Sequence, residues 1–94
     1  MNFTWIVLET VTTPQQQVYW EYDEEGNPIP GTETFFDYNM VYTLVEYDFP
    51  TYQTKVTVEI NHFNPQSDEE IETGIYNMGV TEERKLANTQ EKRS

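Results

Sequence analysis

Few side chains in this sequence could do chemistry, and they are scattered. One histidine, His62, closes an alternating apolar run. The two serines are Ser67, placed to cap a helix, and the terminal Ser94. A serine relay needs a hydroxyl within reach of a histidine that is itself held by an acid, and this inventory offers no such set. The absence of cysteine removes thiolate catalysis, thiolate metal sites and disulfides together. His62 therefore reads as a histidine at the rim of a core with a hydrogen-bond partner. The seventeen carboxylates could work as acid–base pairs only if they converged in a pocket that moved their ionisation. Instead they alternate outward on strands, crowd a turn or open a helix. Asp23-Glu24-Glu25-Gly26-Asn27 gathers oxygen ligands at a turn but departs from the D-x-[DN]-x-[DN]-G spacing of a calcium loop. No glycine-rich phosphate loop and no H-E-x-x-H pair is present. The expectation is a protein that is not an enzyme, holds no metal or cofactor, and acts by binding other proteins.

The aromatic residues carry the binding signal. Fourteen Phe, Trp and Tyr in 94 residues exceed what so small a core needs, and tyrosine suits interfaces because a rigid apolar ring ends in a polar group. In the run 17–22, Val18, Trp20 and Tyr22 alternate with Gln17, Tyr19 and Glu21, so one set must face outward. Tyr19, Trp20 and Tyr22 are the aromatic candidates for a partner surface. A polar strand at a sheet edge could also add to a partner's sheet through its backbone.

Charge is divided unevenly along the chain. Residues 1–83 hold sixteen acids against Lys55 alone, whereas residues 84–94 hold Arg84, Lys85, Lys92 and Arg93 against Glu91. The net charge of −12 repels nucleic acid and anionic lipid, so direct binding to either is not expected. A basic end invites contact with carboxylates of a neighbour, and Arg84, Lys85, Leu86, Lys92 and Arg93 join the candidate protein-binding residues. Two acidic groups, Asp23, Glu24 and Glu25 at a turn and Asp68, Glu69, Glu70 and Glu72 at a helix start, supply an alternative surface. They would suit an inhibitor that imitates nucleic acid in a basic groove of a host enzyme or defence complex.

These residues must be positioned by an α+β fold. Four segments rich in aromatic and β-branched residues, 3–12, 16–23, 33–48 and 51–63, predict an antiparallel meander of about four strands. In the fourth, Tyr52, Thr54, Val56, Val58, Ile60 and His62 form a dry face opposite Gln53, Lys55, Thr57, Glu59 and Asn61. In the third, Phe36, Tyr38, Met40, Tyr42 and Leu44 alternate with a partly polar set, Phe35, Asp37, Asn39, Val41, Thr43 and Val45, a face expected to have some cover. The first is apolar on both sides, as expected of a central strand or one that meets a partner. Asp23 to Gly31, with two glycines and two prolines, predicts an exposed hairpin tip. Ser67-Asp68-Glu69-Glu70 predicts a helix start, followed by Ile71, Ile75 and Met78 at helical spacing and by Gly79 as a stop, giving a helix over about 68–78. Residues 1–80 read as one β-rich domain. Residues 81–94 read as a short helix capped by Thr81 or as an extended basic tail, ordered only within an assembly. No run approaches the roughly 18 apolar residues of a membrane helix, and the start Met1-Asn2-Phe3-Thr4 lacks a basic leader. A soluble, cytoplasmic protein is expected.

The layout resembles that of small, uncharacterised proteins of tailed bacteriophages. The opening strand Met1-Asn2-Phe3-Thr4-Trp5-Ile6-Val7-Leu8, the later strands Val18-Tyr19-Trp20 and Val56-Thr57-Val58, and the helix start Glu69-Glu70-Ile71 carry the resemblance. It covers the order of elements over most of the chain and transfers no functional residue. It implies a viral protein, made in the cytoplasm of an infected host and then built into the virion, such as a capsid cement protein or a tail or neck adaptor, or else one directed at the host.

Overall fold

The computed structural model describes residues 2–93, with side chains through Thr89. The chain forms β1 (Thr4–Tyr19), β2 (Thr34–Phe49), a 3-10 turn (Pro50–Tyr52), β3 (Thr54–Phe63) and α1 (Asp68–Arg93). The strands make an antiparallel meander in the order β1-β2-β3, so the expected α+β class holds with three strands rather than four. The first two predicted strands are one, because Pro14 does not interrupt β1. Asn39, its partner, spends both backbone groups on Asn64: its carbonyl accepts from the Asn64 amide at 2.6 Å and its amide donates to Asn64 Oδ1 at 3.3 Å. Amide and carbonyl of one strand residue point the same way, so Pro14 and Asn39 form a non-hydrogen-bonded pair and the proline nitrogen faces the free edge, where no donor is missed. β1 is thus an edge strand, so of the two readings of its double-sided apolarity the central one is overturned. A bulge at Leu8 shifts its register between Val7 and Glu9.

β3 pairs only with Met40–Phe49, whereas β1 follows β2 to its start. Pro14–Tyr19 and Thr34–Asn39 therefore continue alone as a two-stranded ribbon. It ends in the predicted hairpin tip, where Gly26 and Gly31 take φ of 86° and 85° and a Tyr22–Pro28 bridge closes the loop. Together they form an arm on a molecule of 62 × 28 × 16 Å.

The core lies where α1 crosses the other end of the sheet. Val45, Tyr47, Phe49, Ile60 and Ile75 are buried, with Phe3, Trp5, Val56, Val58, Ile71 and Met78 packed around them. The dry face of β3 and the stripe Ile71, Ile75 and Met78 fall where expected. On β2 the partly polar face is the covered one: Val41, Thr43, Val45, Tyr47 and Phe49 face the helix and are buried, while Tyr42 and Leu44 on the other face are only half-covered.

α1 runs to Arg93, past the predicted stop. Ser67 Oγ does accept from the Glu70 amide at 3.3 Å, as an N-cap, while the Glu70 carboxylate reaches one residue past the N-cap and accepts from the Gln66 amide at 3.1 Å. Gly79 is buried inside the helix, and a methyl group built on it would meet Phe3 Cζ at 2.7 Å and Tyr47 Cε1 at 2.9 Å. Its role is close approach of helix to sheet. Thr81 caps nothing; its hydroxyl donates to the Asn77 carbonyl at 3.1 Å. Beyond it the sequence is rich in good helix formers, with acids ahead of bases along the helix dipole.

Candidate protein-binding surface

The polar groups of the interior are occupied by structure. The Tyr47 hydroxyl donates to the Ile75 carbonyl at 2.6 Å, tying the sheet to the helix. Burial, with a lesser push from Glu82, raises its pKa from 10.0 to about 12. His62 Nε2 and Thr43 Oγ1 share a hydrogen bond at 3.0 Å, and burial lowers the His62 pKa below its ordinary 6.5, disfavouring the charged ring. No buried side-chain polar atom among the described residues lacks a partner. Nor, among them, do three or more His, Asp or Glu gather in a metal-holding group, and no helix is long and apolar enough to cross a membrane.

The sequence-predicted aromatic candidates lie together at the far end of the arm. Tyr19, Trp20 and Tyr22 are all exposed, Tyr22 at 62%. Arg84 and Lys85 are exposed on α1, beyond the core, and the fold does not bring them to the arm. Lys85 is turned back onto Glu82 at 3.4 Å. Leu86 packs against the core cluster, so it is not a free contact as expected. The side chains of Lys92 and Arg93 lie outside the described residues.

The two acidic groups are also apart. α1 starts just after Phe63, which pairs with Met40, whereas Asp23, Glu24 and Glu25 lie beyond Thr34. The six ribbon residues between, at about 3.4 Å each, put roughly 20 Å between the groups. Asp23 is moreover committed to the turn, its carboxylate accepting from the amides of Glu25 at 3.0 Å and Asn27 at 2.9 Å. Asp68, Glu69, Glu70 and Glu72 stand exposed on the first turns of α1.

The surface that sequence reasoning missed is the sheet face turned away from α1. There Tyr38 stacks on Phe36 at 5.6 Å and meets Phe63 at 5.0 Å. Phe63 is 64% exposed, and Val11 and Phe36 are exposed nearby. Alternation along β2 separates two faces without telling which one the helix leaves bare. A signal was present: the set Val41, Thr43, Val45 continues apolar into Tyr47 and Phe49, whereas Tyr42 and Leu44 continue into Glu46 and Asp48.

The free edge of β1 is less inviting than expected for strand addition. The bulge at Leu8 breaks its line, and the Pro14 nitrogen faces outward without a donor, two devices that discourage a foreign strand. Its side chains nevertheless stay uncovered, with Ile6, Val7, Leu8 and Val11 all exposed. No family model, curated protein or solved structure matches this chain.

Proposed function

We propose that this chain is a non-enzymatic protein-binding component of a bacteriophage particle, of the kind that cements capsid subunits or adapts a tail or neck. The observation that carries the binding reading is the uncovered apolar surface. An arm of two strands and a bare sheet face expose Val11, Val18, Tyr19, Tyr22, Phe35, Phe36 and Phe63 in an elongated molecule. Exposed apolar patches of this extent mark interaction surfaces, and a two-stranded ribbon is at best marginally stable until something packs on it. The phage assignment rests on the resemblance of the opening strand, later strands and closing helix to small tailed-phage proteins. Aromatic and apolar contacts, rather than imitation of a phosphate backbone, are favoured by the separation of the two acidic groups and by Asp23 being tied into its turn.

The test is mass spectrometry of purified particles of the virus that encodes the chain, with peptide abundance compared against the major capsid protein. A fixed stoichiometry is expected. Absence from particles alongside abundant expression in infected cells would overturn the proposal.

A further inference from the structure

The bare sheet face is divided in a way that suits a particular occupant. Cross-strand partners share a face, and the register puts Glu9, Leu44 and Glu59 in one row with Val11, Tyr42 and Asn61 beside it. Glu46 and Asp48 follow on the same face, and its one cation, Lys55, lies 3.9 Å from Glu46. This half is rich in acceptors. In the arm half of the same face the pairs are Thr13–Met40, Gln15–Tyr38, Gln17–Phe36 and Tyr19–Thr34, with no charge at all and with amide and hydroxyl donors between the rings.

We infer that this face is a self-association surface on which a second copy of the chain lies antiparallel, related by a two-fold axis near Met40 and Tyr42. The inference deepens, and rests on, the protein-binding reading above. In this arrangement the uncharged, donor-bearing arm of each copy covers the acidic half of the other. With the axis there, the Gln15–Tyr38 pair lies over Glu9 and Leu44, the Gln17–Phe36 pair over Glu46, and the Tyr19–Thr34 pair over Asp48. The acidic halves stay at opposite ends, so two chains of net charge −12 meet without opposing carboxylates. A parallel stack would set acid against acid. Packing by faces also avoids the β1 edge, which the Leu8 bulge and Pro14 blunt.

The available area fits. The chain exposes 6982 Å², whereas a compact protein of its 11.2 kDa exposes roughly 5,700 Å². The excess of roughly 1,300 Å² belongs to the whole molecule, arm and helix end included, and is large enough to contain the ~800 Å² that each partner contributes to an ordinary stable interface.

Sedimentation equilibrium of the full chain across the micromolar range tests the inference. Wild type should approach twice 11.2 kDa, and association should tighten with salt as the self-repulsion of two acidic bodies is screened. Phe35 and Phe36 are adjacent, exposed and on opposite faces of the arm. F36E should weaken association at least about tenfold, as loss of a packed ring together with an acid placed over acids implies, whereas F35E should leave it within about twofold, as expected outside an interface. Gln17→Lys should tighten association and reduce its salt dependence, while Gln17→Glu should weaken association and steepen that dependence. Far-UV circular dichroism checks that each variant keeps the fold. A chain that stays monomeric at every concentration, equal effects of F35E and F36E, or like effects of the two Gln17 variants would each overturn the inference. A monomeric chain still stoichiometric in particles loses this inference and keeps the particle assignment; a self-associating chain absent from particles does the reverse.

Discussion

Gly79 sits where α1 crosses the sheet most closely, over Phe3 and the buried ring of Tyr47. Glycine within a helix ordinarily costs about 1 kcal/mol relative to alanine, so Gly→Ala at an open helical position stabilises. At Gly79 the added methyl would lie 2.9 Å from Tyr47 Cε1 and closer still to Phe3. Tyr47 cannot yield freely, because its hydroxyl is bound to the Ile75 carbonyl of the same helix. Overpacking of this kind costs about 1–3 kcal/mol, which offsets the propensity gain and reverses its sign. Gly74 is the internal control: a methyl there would stand 3.1 Å from His62 Cε1, at the rim of the core. Gly79→Ala should lower Tm by several degrees, at about 4–8 °C per kcal/mol for a domain of this size, while Gly74→Ala should be near neutral. Equal melting temperatures for the two variants would show that the close approach at Gly79 carries no packing constraint.

Among the elements, the arm and the body should differ in stability. β2 is sandwiched between two strands from Met40 to Phe49 and lies under α1 for most of that length, but from Thr34 to Asn39 it has β1 alone. Local opening is cheap where few apolar contacts close over the backbone. In dilute solution the amides of 14–39 should exchange with solvent much faster than those of 41–49, and should gain protection once the chain is assembled. Uniform protection along β2 in the single chain would contradict this division. Much of this architecture was legible in the sequence. The strict alternation of β3 reported one covered face, the turn residues 23–31 marked the tip, and Ser67 to Glu70 announced the helix. What could not be read were signals with two meanings. Pro14 breaks a central strand but sits harmlessly on an edge when its nitrogen faces out, and only the pairing of Asn39 with Asn64 decides that. Gly79 is a helix stop by type and a close-approach position by context. The alternation of β2 shows two faces without saying which one α1 covers, so it does not single out the row Phe36, Tyr38 and Tyr42 as the bare one. Tyr19, Trp20 and Tyr22 are all exposed, whereas alternation alone requires only one of the two sets to be uncovered.

The whole molecule is extended and strongly acidic. Its radius of gyration is 19.9 Å, against about 12 Å for a compact chain of this length, and most of its charge lies in residues 1–83. Like charges on one body oppose compaction, and attractions do little to offset them. Among the described residues two ion pairs are present, Lys55–Glu46 at 3.9 Å and Lys85–Glu82 at 3.4 Å. Both have an exposed lysine, and pairs of this kind contribute about 0–1 kcal/mol. Salt therefore screens far more repulsion than attraction. The screening length falls from ~30 Å at 0.01 M to ~3 Å at 1 M, that is, from beyond the 16 Å thickness of the molecule to well within it. Unfolding followed at a protein concentration low enough to keep single copies should show Tm rising by several degrees between these limits in sodium chloride, a salt weak enough in exclusion effects to report mainly on charge. The rise should come mostly in the lower part of the range, where the screening length passes through the dimensions of the body. A Tm that fell with salt would mean that favourable charge contacts, rather than self-repulsion, dominate the electrostatics of the fold.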